Sequence, residues 1–142
     1  MTPDTVFTLC TYVALTGWIV LATTPKWELG ARLVVPVAAC GILCIVYSAI
    51  VILQLPGADG GFGSLAEVAT LLGAPWLLLA GWVHYLAFDL FIGAWEVRDA
   101  RSLGISHWLV LPCLGFTFML GPVGLLAYLL LRAALKRRVA LA

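Results

Sequence analysis

Residues 105–131, ISHWLVLPCLGFTFMLGPVGLLAYLLL, form an apolar run interrupted by Pro112 and by Gly-Pro-Val-Gly at 121–124. An α-helix needs roughly 20 apolar residues to cross about 30 Å of hydrocarbon, so this run exceeds the requirement. A proline inside a helix removes a backbone hydrogen bond and kinks the segment. The run therefore predicts a membrane helix kinked or broken at Pro112 or at Gly121–Pro122. Such a break has two readings: it absorbs the excess length, or its freed carbonyls line a cavity.

Three further runs of the same character precede it, so spans are predicted near 6–24, 33–55, 71–95 and 105–131. The composition agrees. Of 142 residues, 63% are hydrophobic and 11% charged, and the mean hydropathy is +1.09, too apolar for a soluble domain of this size. The runs lack the alternating pattern of barrel strands, and lipid leaves no water for open backbone groups, so the spans are helical. The links PKWELGAR and EVRDARSLG are short and polar, which favours antiparallel neighbours. The expectation is an all-α, membrane-embedded four-helix bundle forming a single domain over 1–142. The flank MTPDT lacks Lys and Arg, and ATTPKWE lacks a small-residue cleavage pattern, so the first run reads as a retained helix. In the middle link, Pro56, Gly57, Gly60, Gly61 and Gly63 mark turns, and Ser64 with Glu67 reads as a capping box.

The net charge of +1, without a basic stripe, argues against a nucleic-acid partner. Cys10, Cys40, Cys44 and Cys113 lie in apolar segments and read as small hydrophobes. With four spans, one face carries Arg132, Lys136, Arg137 and Arg138, and the other carries Lys26, Arg32, Arg98 and Arg101. The Lys and Arg count is tied, and only the denser C-terminal cluster tilts the reading towards cytoplasmic termini.

The third run holds the chemistry. GWVHYLAFDLFIGAWEVRDA at 81–100 puts His84 near mid-membrane and Asp89 about 7 Å further along the axis. On a wheel of about 100° per residue, His84, Trp95, Phe88, Asp99, Glu96 and Asp89 share an arc of about 140°. An ionisable group left to lipid costs about 2.5–3.5 kcal/mol on insertion scales, so this arc is expected to face the bundle interior. His107, at the start of the next run, is expected near Glu96 and Asp99. The candidate catalytic residues are thus His84, Asp89, His107 and Glu96. Arg98, Asp99 and Arg101 read as solvated loop charges.

WVHYLAFDLF at 82–91 and LPCLGFTFMLGPVGLL at 111–126 resemble the abscisic-acid-deficient-four-like family of small multipass membrane proteins. The resemblance carries Trp82, His84, Asp89, Phe91, Pro112, Gly121 and Pro122 as pattern positions. Plant members are linked to neoxanthin formation, so the resemblance implies carotenoid metabolism, with membrane lipid and a hydrophobic polyene or isoprenoid as partners. No plastid-type transit segment is visible, which points to a bacterial-type member in the inner (cytoplasmic) membrane.

The implied reaction is isomerisation of a 5,6-epoxide end group to an allene. It needs a donor to the epoxide oxygen and a base for a proton on carbon, and Asp89 and His84 fill these roles in either order. No cofactor is required. Trp82, Phe88, Phe91 and Trp95 are the candidate substrate-binding residues. A metal alternative assembles His84, His107 and a carboxylate from Asp89 or Glu96 around non-haem iron for an oxygenase, although the chain has only two histidines. A third reading is non-catalytic: a carotenoid- or lipid-binding protein, or a proton-coupled transporter in which His84 and Asp89 relay protons. Homo-oligomerisation stays open.

Overall fold

The computed structural model describes residues 1–24 and 27–136; Lys26, Arg137 and Arg138, which entered the charge comparison, lie outside the described residues. The described elements are all helical: α1 Pro3–Thr23, α2 Gly30–Gln54, α3 Leu65–Leu72, α4 Pro75–Ser102, α5 His107–Leu120 and α6 Pro122–Lys136. Thr2 caps α1 by accepting from the Thr5 amide at 3.3 Å. The first part of α2, Gly30–Ala39, is wound as a wide π-turn around Pro36, whose missing N–H cannot serve the tighter pattern. Ser64 caps α3 as expected by accepting from the Glu67 amide at 3.2 Å. The Glu67 carboxylate accepts from the amide of Gly63, one position earlier than a standard box requires.

The helices α1, α2 and α4 are long and apolar enough to cross a membrane. At 28 residues α4 runs for about 42 Å and is the axis of the molecule. Its buried Val83, Leu90 and Ala94 share one core with Ala14 and Leu21 of α1, Val35 and Leu43 of α2, and Val110 and Leu114 of α5. A Cβ at Gly93 would lie 2.6 Å from the Trp18 ring, so the glycine sets how closely α1 approaches.

The fourth run departs from expectation. Pro112 lies inside α5 without ending it, whereas Gly121 ends it with a φ of +50° that favours glycine. Beyond Gly121 the chain turns back. A Cβ at Gly124 would collide with the backbone and hydroxyl of Thr117. Residues seven apart in an unbroken helix stand about 10 Å apart, so this contact requires reversal. Further along α6, Tyr128 and Arg132 bond Asp99, near the end of α4 beside which α5 begins. At 14 and 15 residues, α5 and α6 extend only about 21–23 Å each, short of a crossing. Three helices, not the expected four, are thus long and apolar enough to cross a membrane, and the fourth run is a hairpin of two shorter helices. Its tip lies against Asp89, half-way along α4.

This topology puts Met1 and the end of α6 at opposite ends of α4. The Met1 face holds the start of α1, the end of α2, α3 and the start of α4. The Arg132 face holds the end of α1, the starts of α2 and α5, and the ends of α4 and α6. The chain has no Lys or Arg between Arg32 and Arg98, so Arg32, Arg98, Arg101, Arg132 and Lys136 all belong to the Arg132 face. Asp4, Asp59 and Glu67 belong to the Met1 face. The four-against-four tie was a product of letting the fourth run cross.

Candidate functional site

Three acids of α4 look towards the hairpin. Asp89, Glu96 and Asp99 are spaced seven and three residues apart, which keeps them within about 80° on a helix. Each meets a different part of α5–α6.

Asp99 meets the returning helix. Its Oδ2 accepts from the Tyr128 hydroxyl at 2.6 Å and from Arg132 Nε at 2.8 Å. The Arg132 and Asp99 side chains are only 2% and 7% exposed, and Trp95 packs edge-on against Tyr128 at 5.4 Å. Asp99 is thus a buried clamp, not the solvated loop charge expected from the sequence. Its position on the polar arc was a usable signal, but the partners become neighbours only when the chain reverses.

Glu96 is fully buried, and its Oε1 accepts from the Thr117 hydroxyl at 2.9 Å. Its Oε2 has no hydrogen-bond partner among the described residues. Asp89 faces the hairpin tip, where a Cβ on Gly121 would stand 2.9 Å from its Oδ1. Its Oδ2 is buried and also lacks a partner among the described residues. Tyr85, one turn earlier on this face, donates to the Phe118 carbonyl at 3.2 Å, a carbonyl in the last turn of α5 that the break leaves without a helical partner. Sequence reasoning passed over Tyr85, Thr117 and Tyr128, although helical spacing puts Tyr85 beside Asp89.

His84 is turned elsewhere. Its ring stands 4.5 Å from Phe88 and 5.7 Å from Tyr47 of α2, and the residue is exposed. The five-residue step from His84 to Asp89 rotates about 140°, so when the hairpin covers Asp89, His84 falls at the edge of α2. The expected single inward arc divides there. His107 is half-buried and donates from Nε2 to the Ala22 carbonyl at 3.0 Å, closing the last turn of α1. It begins α5, the full length of that helix away from Gly121.

The four candidate ligands therefore point to three neighbours: His84 to α2, His107 to α1, and Asp89 and Glu96 to the hairpin. Among the described residues no three His, Cys, Asp or Glu side chains converge, so the residues of the metal alternative are not gathered. Of the four aromatic candidates, Trp82 stands beside Tyr85, with ring centroids 5.5 Å apart. Phe88 and Phe91 line a separate cleft with Pro36, Cys40 and Gly41. Trp95 is engaged by Tyr128.

Residues 5–128 match the family described as ABA DEFICIENT 4-like. The chain belongs to the ABA DEFICIENT 4-like family. The match runs from α1 through Tyr128, so it spans Asp89, Glu96, Thr117 and the Gly121 break, and it ends before Arg132. For this ABA DEFICIENT 4-like chain, no curated protein and no solved structure gives a match.

Proposed function

We propose that this ABA DEFICIENT 4-like protein is a membrane-embedded acid–base isomerase acting on the oxygenated end of a carotenoid or related isoprenoid, with Asp89 at the reacting centre. The observation that carries the reading is the partnerless carboxylate oxygen of Asp89 against a helix break at mid-length of a spanning helix. Intramembrane ionisable residues are costly to keep without a use. The isomerisation balances within the substrate: one proton goes to the epoxide oxygen and one leaves an adjacent carbon. Asp89 and the Tyr85 hydroxyl, one turn apart, supply the donor and the acceptor, and the proton returns between them to reset the site. Glu96 supports α5 through Thr117. His84 takes no part in this pair.

The host membrane is the bacterial inner membrane, with the Arg132 face in the cytoplasm. The support is the gathering of the described basic residues on that face, since short cytoplasmic loops concentrate Lys and Arg. The end of α6 is then cytoplasmic and the start of α1 external, in place of the expectation that both termini are cytoplasmic.

The test is expression of the full chain in cells making carotenoids with and without epoxide ends, with pigments identified by mass. A new isomer of unchanged mass, lost in Asp89→Asn, is the expected result. A product with added oxygen or a cleaved chain, or an unaltered pigment that merely co-purifies, would overturn the isomerase reading.

A further inference from the structure

The hairpin stops at Asp89, so the half of α4 nearer the Met1 face has no fourth helix beside it. A cleft of about 560 Å³ occupies that side, between α1, α3 and α4. Phe7, Leu72, Leu78 and Trp82 form its walls, and Tyr85 lies at its deep end. The rings of Phe7, Trp82 and Tyr85 follow one another at centroid spacings of 5.5 Å. Asp4, in the exposed first turn of α1, stands at the mouth.

The polarity of this cleft runs opposite to that of a phospholipid site. A phospholipid bound there would leave its headgroup at the mouth beside Asp4 and its apolar tail ends at Tyr85, one turn short of Asp89. An occupant that satisfies the deep end carries a polar, hydrogen-bonding group on the end of an apolar chain and sets that end at mid-membrane. The cleft between α1 and α2, lined by Val6, Val13, Ile42, Ile45 and Val46, has no such polar end and suits ordinary acyl chains.

We infer that the α1–α3–α4 cleft is the substrate track: it takes a long isoprenoid chain lying along α4, with its oxygenated end at Tyr85, one turn from Asp89, loaded sideways from the leaflet on the Met1 face. The inference rests on the reading of Asp89 as the reacting centre. From Pro75 to Asp89 the helix rises about 21 Å, the length available to an extended chain. Loading from the side avoids crossing either aqueous surface.

The test uses the full chain in phospholipid nanodiscs with all-trans-retinol, a polyene with one terminal hydroxyl, and with the matching hydrocarbon that lacks the hydroxyl. Binding is read by quenching of tryptophan fluorescence. Gly81 lines the cleft, is exposed, and has room for a Cβ at 3.5 Å from Leu72, so Gly81→Phe blocks the track from a tolerant position. Leu78→Phe, also at an exposed site, is the second blocking variant. Ile45→Phe in the α1–α2 cleft is the control. Expected are saturable binding of the alcohol, at least tenfold weaker binding of the hydrocarbon, and a tenfold loss in whichever blocking variant elutes as the folded protein, with Ile45→Phe unchanged. Equal binding of alcohol and hydrocarbon, or full binding in a folded blocking variant, overturns the track. The two readings fail separately. Binding without any isomer product would remove the isomerase and leave the track, whereas pigment conversion that survives Gly81→Phe and Leu78→Phe would remove the track and leave the isomerase.

Discussion

Asp89 and His84 are two ionisable residues five apart on one helix, and they lie in different surroundings. Asp89 faces the freed end of α5 with one oxygen lacking a partner, while the His84 ring lies between Phe88 and Tyr47. Positioned acid–base groups contribute about 10²–10⁴-fold to a rate. Asp89→Asn is therefore expected to cut isomer formation by at least about 100-fold. His84→Ala, at matched protein level, is expected to change it by no more than about threefold, since it removes no such group. Pigment yield per milligram of membrane protein measures both, and the reverse ranking would return the catalytic role to His84. Replacing Thr117 by Val should cost about 1–3 kcal/mol, because it removes the only hydrogen bond to a fully buried Glu96 among the described residues. Thermal unfolding in detergent checks this.

The α5–α6 hairpin depends on a few contacts far apart in sequence. Gly121 supplies the positive φ at the tip, Gly124 admits Thr117, and Asp99 holds Tyr128 and Arg132 on the return. Removing one partner of a buried ion pair leaves an uncompensated charge and costs about 3–5 kcal/mol. Arg132→Met should thus lower the unfolding temperature more than the double replacement Asp99→Leu/Arg132→Met, which removes both charges. A double variant less stable than the single one would refute the clamp. The break itself is visible in the letters Gly-Pro at 121–122. Its direction is not, because a proline ends a helix without saying where the next one goes. Whether α6 continues or folds back depends on Asp99, about 30 residues earlier.

Across the described residues, the hairpin puts Ser102 and the end of α6 on one face and residue 58 on the other. In a cysteine-free background, Ala58→Cys should react with a membrane-impermeant maleimide in intact cells. Ser102→Cys should react only after permeabilisation, and a C-terminal fluorescent fusion should be bright. A four-span chain with both termini in the cytoplasm would reverse the two labelling results. The half of α4 left uncovered by the hairpin is where the cleft between α1, α3 and α4 opens.

The sequence by itself carried the apolar, all-helical character, the first three long helices, two candidate break points at Pro112 and Gly121–Pro122, and the family resemblance. These follow from hydropathy and from the backbone chemistry of proline and glycine, which act over one helix length. The tertiary structure decided which acids are buried, which way His84 looks, and that the described basic residues share one face. Those outcomes depend on where α6 goes after Gly121. That choice is made by the collision-free approach of Gly124 to Thr117 and by the Asp99–Tyr128–Arg132 cluster, interactions between residues that no local pattern brings together.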